Sequence, residues 1–192
     1  CLSRGLGDVY KRQFLDKDVG LGNRRLRIID LVTGKQPIHN EDENIWITYN
    51  GEVYNFPELR EELERKGHRF YTRTDTEVLV HAYEEWGDDF VNLLNGMFAF
   101  AIWDSNKKRL LLARDRVGIK PLHYTLLGDG TFLFASEIKS ILQYEKVKRE
   151  VDLQSLHHFI NLRYVPRERT MFKGIERLLP AHAMVVDKNG IK

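Results

Sequence analysis

Ile45-Trp46-Ile47-Thr48-Tyr49-Asn50-Gly51-Glu52-Val53-Tyr54 decides how the rest of the chain is read. A β-branched and aromatic run reaches Asn50-Gly51 and resumes as a second short run. Asn-Gly between two such runs predicts a β-hairpin with a type I′ turn. Outward toward the N-terminus, Arg25-Leu26-Arg27-Ile28-Ile29 alternates polar and apolar residues and predicts a half-buried strand. Outward toward the C-terminus, Asn55 and Pro57 open a helix with Leu59 and Leu63 on one face and Gly67 as its stop. Thr74 and Glu77 form a capping box. The helix that follows buries Val78, Leu79, Ala82, Tyr83 and Trp86 and stops at Gly87.

A short helix through Phe90, Leu93 and Leu94 comes next. Strands over 97–103 and 109–113 are joined by the polar turn Asp104-Ser105-Asn106-Lys107, and residues 132–135 make another strand. Ser136 opens a helix through Ile138 and Leu142, and Asp152 caps one carrying Leu153, Leu156, Phe159 and Ile160. Residues 182–187 with Lys188-Asn189-Gly190 read as a final hairpin. Hairpins mixed with helices, without regular βαβ alternation, predict an α+β fold.

The composition narrows the function. With 192 residues, of which 42% are hydrophobic, the chain can bury a core, and one domain is the natural unit. Lys plus Arg is 30 against 28 for Asp plus Glu, a balance that argues against a dedicated nucleic-acid or membrane-surface protein. No apolar run approaches the roughly 18 residues of a membrane span, and the N-terminal region has no signal-peptide core. A cytoplasmic globular domain without nucleic-acid or membrane partners is expected. A single cysteine, Cys1, excludes a disulfide framework within the chain.

Residues 3–13, Ser-Arg-Gly-Leu-Gly-Asp-Val-Tyr-Lys-Arg-Gln, translate an adapter used in transposon-based sequencing libraries, codon for codon. Residues 1–13 are therefore expected to lie outside the native domain.

Candidate chemistry gathers where elements end. Arg25 stands at a predicted strand start, Asn50-Gly51-Glu52 at a turn and Asp75 at a helix N-terminus. Each has a structural explanation: a solvated basic edge for Arg25, a type I′ turn for Asn50-Gly51, a complement to the helix dipole for Asp75. Together they make a different kit. An arginine can grip a carboxylate bidentately, a carboxylate can hold an ammonium, and an amide with a backbone N–H can receive a developing oxyanion. An α-amino acid with a reacting side-chain carboxamide would use all three. The seven histidines show no pair at metal-ligand spacing, and His157-His158 would splay apart on a helix, so no metal ligand is expected. Gly20-Leu21-Gly22 lacks the third glycine of a dinucleotide fingerprint, and no Walker loop or G-x-S-x-G elbow occurs. Arg114-Asp115-Arg116, with Gly118 and Pro121, reads as a turn held by local ion pairs.

Six ordered segments resemble the glutaminase domain of glutamine-hydrolysing asparagine synthetases, the class II glutamine amidotransferases. They are Leu21-Gly-Asn-Arg-Arg-Leu-Arg-Ile-Ile-Asp30, Tyr49-Asn-Gly-Glu-Val-Tyr-Asn55, Thr74-Asp-Thr-Glu-Val78, Gly96-Met-Phe-Ala-Phe-Ala101, Ala113-Arg-Asp-Arg-Val-Gly-Ile-Lys-Pro-Leu122 and Ala135-Ser-Glu-Ile-Lys139. Tyr164-Val-Pro and Phe172-Lys-Gly-Ile175 are similar to the connector that precedes the synthetase domain. The resemblance implies a four-layer αββα sandwich of the N-terminal-nucleophile hydrolase type, lacking its first strand. Residues 14–165 would be the amidotransferase domain, incomplete at its N-terminus, and 166–192 its end and the connector.

For the site, the resemblance implies that Arg25 binds the L-glutamine α-carboxylate, with Leu26, Ile28 and Ile29 lining the pocket. Asn50 and Gly51 would form the oxyanion hole. Glu52 and Asp75 would hold the substrate, Asp75 facing its ammonium. In the family an amino-terminal cysteine thiolate attacks the carboxamide and a thioester forms as ammonia leaves. The ammonia then reaches a C-terminal synthetase domain that uses ATP and Mg²⁺ to activate aspartate. The family begins Cys-Gly-Ile, whereas Cys1 precedes Leu2-Ser3-Arg4 and lies too close to Arg25 for the family's spacing. The nucleophile role is therefore not carried onto Cys1, and the chain as it stands is expected to be inactive. No cofactor is expected within it, and ATP and Mg²⁺ belong to the synthetase domain. A homodimer is compatible with the resemblance. So are two alternatives: an amidotransferase serving a different acceptor, and a non-catalytic dimerisation or regulatory relative.

Overall fold

A hairpin opens the described part of the chain, and it starts earlier than the alternation at 25–29 suggests. In the computed structural model, which describes residues 9–26 and 35–192, strand β1 (Val9–Leu15) pairs antiparallel with β2 (Gly20–Leu26), from Val9↔Leu26 to Leu15↔Gly20. Asp16 N–H donates to the Val19 carbonyl across the turn. Residues 9–13, set aside on their sequence, here supply the partner strand for β2. Phe14 fastens the hairpin by stacking on Trp46, ring centroids 4.1 Å apart. Leu21 is buried.

The chain forms two compact units. The first comprises 1–96, 100–112 and 184–192, and the second comprises 97–99 and 113–183. In the first, β3 (Ile38–His39) pairs with β4 (Ile45–Val53) in the register Ile38↔Ile47 and His39↔Trp46. The expected Asn50-Gly51 hairpin does not form. β4 runs straight through both residues, and Gly51, at φ 159°, lies near the extended limit rather than in the left-handed region a type I′ turn needs. The physical reason is that β4 is bonded instead to β3 before it and, on its other edge, to the strand over Gly96–Asp104. α1 (Phe56–Arg65) begins after Asn55 with Pro57 in its first turn, and Gly67 follows it at φ 104°. Leu59 and Leu63 face the core as expected.

α2 (Asp75–Trp86) is buried along residues 75–83 rather than on one face, while Trp86 is only half-buried. Thr74 accepts from Glu77 N–H at 3.3 Å, but the box is half-formed. The Glu77 carboxylate turns instead to the amides of Tyr71 and Thr72 and to the Thr72 hydroxyl. A 3₁₀ helix over Gly87–Leu93 leads to β5 (Gly96–Asp104) and β6 (Arg109–Arg114).

In the second unit, β7 (His123–Leu126) pairs antiparallel with β8 (Phe132–Ala135). α3 (Ile138–Ile141) and α4 (Leu153–Leu162) follow, and β9 (Glu176–Arg177) pairs with β7's other edge. Ile141, Val147 and Ile175 centre a small core with Leu133 and Phe172 against it. Asp152 caps α4 by accepting from Ser155 N–H at 2.8 Å. Leu153, Phe159 and Ile160 on α4 are exposed. The Arg114–Pro121 turn is structural, as expected, and the Arg114 and Asp115 side chains bond its backbone. Asp115 is buried and accepts from the N–H groups of Val117, Gly118, Ile119, Lys120 and Phe98. Arg114 donates to the carbonyls of Lys120, Gly118 and Leu178.

β10 (Ala183–Asp187) and β11 (Gly190–Ile191) close the chain as the hairpin read from Lys188-Asn189-Gly190. The largest sheet has the order β11-β10-β6-β5-β4-β3. No described helix is long and apolar enough to cross a membrane.

Candidate functional site

Strand β4 is the spine of the site, and its two ends are held differently. Up to Tyr49 it is a core strand, with Ile45, Ile47 and Tyr49 buried. At Asn50 it emerges: Asn50 is exposed and Gly51 and Glu52 are half-buried, before Val53 returns to the core. Those three residues are the ones assigned to the oxyanion hole and substrate grip.

Side chains from three other segments fix that emergence point. Gln36, which is buried, accepts the Tyr49 N–H at 2.8 Å and the Asn23 side-chain amide at 2.7 Å on the same oxygen, and donates to Thr76 Oγ1 at 3.2 Å. Asn23, on β2, also donates to the Tyr49 carbonyl at 3.4 Å and to Thr48 Oγ1 at 3.3 Å. Asp75, the first residue of α2, accepts from the Tyr49 hydroxyl at 2.7 Å and the Val53 N–H at 3.1 Å through one oxygen, Oδ2. Its Oδ1 accepts from Thr76 Oγ1 at 3.4 Å. A carboxylate at a helix N-terminus also complements the dipole, so the modest reading of Asp75 holds, but it understates the residue. At 1% exposure, Asp75 is the bolt between α2 and the residues on both sides of Asn50-Gly51-Glu52.

Gly96 sets the floor beneath Glu52. A Cβ there would lie 2.8 Å from Val53 Cα and closer still to the Glu52 carbonyl oxygen. β5 can therefore begin directly against Glu52 and Val53 only because residue 96 has no side chain. Asn55 secures the same junction: its side chain donates to the Leu93 carbonyl and accepts the Asn95 N–H, while Tyr54 N–H donates to the Asn95 carbonyl at 2.7 Å.

Of the residues singled out in sequence, Asn50, Gly51, Glu52 and Asp75 thus come together around one stretch of β4. Arg25 and Leu26 close β2, paired through their backbones with Tyr10 and Val9. Arg25 lies toward the end of that strand, not its start, because β2 begins at Gly20. Asn23, two residues before it, already bonds Tyr49. Cys1, Ile28 and Ile29 lie outside the described residues. The supporting residues Asn23, Gln36 and Tyr49 are absent from the sequence-derived set. Asn23 and Tyr49 stand inside the recognised segments, but Gln36 carried no local signal. His68 and His81 also meet, with ring centroids 5.0 Å apart, although their sequence spacing gave no hint of a pair.

The glutamine amidotransferase domain family matches residues 3–192. The chain is 44% identical over 173 residues to asparagine synthetase [glutamine-hydrolyzing] 3 of Bacillus subtilis, covering 88% of this chain and 28% of that protein. It is 50% identical over 136 residues to asparagine synthetase [glutamine-hydrolyzing] 2 of the same organism, covering 71% and 18%. The chain thus spans under a third of the length of the curated relatives it matches. Among solved structures, glutamine phosphoribosylpyrophosphate amidotransferase of B. subtilis superposes with a TM-score of 0.60 at 21% identity, over 90% of this chain and 34% of that one. That likeness shows the fold, the N-terminal-nucleophile hydrolase type expected from the sequence. With a family match across nearly its whole length and an amidotransferase fold beneath it, the chain belongs to the glutamine amidotransferase family.

Proposed function

We propose that this chain is the glutamine-hydrolysing, ammonia-supplying part of an asparagine synthetase. In this reading Arg25 grips the L-glutamine α-carboxylate, with Leu26, Ile28 and Ile29 lining the pocket. Asp75 and Glu52 hold the substrate, Asp75 at the ammonium end. The Asn50 side chain and the Gly51 N–H receive the oxyanion as the carboxamide is attacked. The observation that carries the reading is the Asp75 carboxylate bonded to both Tyr49 and Val53. It supports the two motifs on β4 and α2 acting on one small molecule, and it stands beside the identity to glutamine-hydrolysing asparagine synthetases. Ammonia release serves a synthetase domain that consumes ATP with Mg²⁺ and converts aspartate to asparagine, in the cytoplasm.

In this reading the nucleophile role is not assigned to Cys1, which is followed by Leu2-Ser3-Arg4 rather than the family's Gly-Ile and lies close in sequence to Arg25. The 192-residue chain alone is expected to hydrolyse glutamine weakly, and Cys1→Ala is expected to leave that rate unchanged. Robust turnover abolished by Cys1→Ala would overturn this part of the reading. In the complete gene product, Asn50→Ala should lower glutamine-dependent kcat about 10²–10³-fold, the usual effect of deleting an oxyanion donor, while leaving synthesis from free ammonia intact. Equal loss with glutamine and with ammonia would remove the assigned role of Asn50.

A further inference from the structure

Toward the C-terminal half of α2, four side chains from three segments converge. Glu41 comes from the turn between β3 and β4, His68 from the segment after α1, and His81 and Glu84 from α2. One donor atom from each lies within 4.8 Å of all the others. His81 Nδ1 is 3.4 Å from Glu41 Oε2 and 3.7 Å from Glu84 Oε2, and His68 Nδ1 is 3.8 Å from the same Glu84 oxygen. A tetrahedral metal with bonds of about 2.0–2.1 Å separates its ligand atoms by roughly 3.4 Å. The cluster is therefore close to the size of a coordination shell. It is wider than direct hydrogen bonds would make it.

An independent observation concerns His81. The residue is fully buried, at 0% exposure, yet neither ring nitrogen is in hydrogen-bond geometry; the facing carboxylate oxygens of Glu41, Glu77 and Glu84 stand 3.4–3.7 Å away. Buried polar atoms are rarely left so. Phe70 packs edge-on to the ring at 4.5 Å, and Arg60 lies over Phe70 at 4.3 Å, which keeps that side dry.

The atoms facing away from the cluster centre are also provided for. His81 Nε2 looks at Glu77 Oε1 at 3.6 Å, and Glu77 is itself held by Tyr71 and Thr72. His68 Nε2 faces Glu85 Oε2 at 3.4 Å. Glu84 Oε1 accepts from the Asn40 side-chain amide at 3.1 Å, and Glu41 Oε1 accepts from the Arg69 N–H at 2.8 Å. Metal-binding histidines characteristically turn the second nitrogen to a carboxylate, and ligating carboxylates are themselves hydrogen-bonded. His68, Glu84 and Glu41 follow that pattern, and His81 turns its Nε2 toward the Glu77 carboxylate at a longer distance.

The geometry points to a structural transition-metal site, Glu41–His68–His81–Glu84, whose ligand chemistry suits zinc(II). Two imidazoles and two carboxylates favour a borderline cation over Mg²⁺ or Ca²⁺, which take oxygen ligands. Four protein donors leave no open position, so the ion's role is to stitch the β3–β4 turn and the segment after α1 to α2. Although no metal ligand was expected from sequence, the fold supplies a set.

The test is titration of chelator-treated 192-residue protein with Zn²⁺ alone, followed by calorimetry and thermal denaturation, with Mg²⁺ in parallel. One equivalent of Zn²⁺ should bind saturably. At 100 times the dissociation constant it should raise Tm by roughly 5–10 °C, and Mg²⁺ should do neither. His81→Ala opens a cavity and risks misfolding, so the deciding variants are the more accessible His68→Ala and Glu84→Gln. Each should keep its far-ultraviolet circular dichroism and weaken Zn²⁺ binding at least tenfold. Glu85→Ala, which removes only the carboxylate behind His68, should weaken it 10–100-fold. Absence of saturable Zn²⁺ binding would overturn the proposal and leave an ion-paired histidine cluster. Binding undiminished in both His68→Ala and Glu84→Gln would overturn it as well. Neither readout involves glutamine, so the outcome is independent of the glutaminase reading.

Discussion

Replacing Asp75 by alanine should cost far more stability than replacing it by asparagine, and the difference isolates what the residue does in the fold. Asp75 Oδ2 accepts two bonds, from the Tyr49 hydroxyl at 2.7 Å and the Val53 N–H at 3.1 Å. Tyr49 and Val53 are 3% and 0% exposed, so water cannot replace a lost acceptor without opening the core. Each buried donor left unsatisfied costs about 1–3 kcal/mol, which puts Asp75→Ala near 2–6 kcal/mol. At roughly 2–4 °C per kcal/mol for a chain of this size, Tm should fall by about 5–20 °C. Asparagine keeps a carbonyl oxygen in the same place and can accept both bonds. It gives up the helix-terminus charge, worth about 0.3–1 kcal/mol, and some strength in each bond, so a loss of about 1–2 kcal/mol is expected. Tyr49→Phe removes a donor without orphaning one and should cost about 1 kcal/mol. Thermal and urea unfolding followed by circular dichroism measure all three. Equal stabilities for the alanine and asparagine variants would refute the view that Asp75 bolts α2 to β4. In the complete protein, Asp75→Asn should nevertheless raise the glutamine KM sharply, because the charge, not the acceptor, would meet an ammonium.

Gly96→Ala should lower stability by about 1–3 kcal/mol, since the new methyl would meet Val53 Cα at 2.8 Å and the Glu52 carbonyl. The same substitution at Gly128, where nothing lies within 4 Å, should change little, as paired urea melts would show. Asp115 gives a pH prediction. Burial opposes its ionisation, but the amides of Lys120, Ile119, Gly118 and Phe98 outweigh burial and hold its pKa below the ordinary carboxylate value. Its stabilisation is therefore complete above about pH 5 and is lost as pH falls through the depressed folded-state pKa. Asp115→Ala should flatten the acid limb of a stability–pH curve, and an unchanged limb would count against this assignment. Gln36→Ala should cost about 2–4 kcal/mol by orphaning the Tyr49 N–H and the Asn23 amide, whereas Gln36→Glu should cost less at neutral pH. Arg25→Ala in the complete gene product should weaken glutamine binding about tenfold or more by calorimetry and leave ammonia-dependent synthesis intact.

Much of the fold was legible locally, where one physical preference dominates. Thr74 before an acidic first turn, Pro57 near a helix start, Gly67 and Gly87 as stops, and Lys188-Asn189-Gly190 between apolar runs each act within a turn or two of their own position. The elements they delimit appear where expected. The Asn50-Gly51 hairpin shows where local reading ends. A strand takes its course from the partners it bonds, and β4's partners in the sheet are β3 and β5. The pairing of Val9–Leu15 with Gly20–Leu26 teaches the same point, since no turn signal between the two runs was read in the sequence.

Sequence by itself determined the family and the identities of Asn50, Gly51, Glu52 and Asp75 as candidate residues, because a chain of ordered short motifs preserves side-chain chemistry whatever the path between them. Only the tertiary structure decided that Asp75 is a buried bolt, that Gln36 and Asn23 brace Tyr49, and that Glu41, His68, His81 and Glu84 share one spot. Those relations join residues up to dozens of positions apart. They exist only once burial has excluded water and left each polar atom to find its partner within the protein.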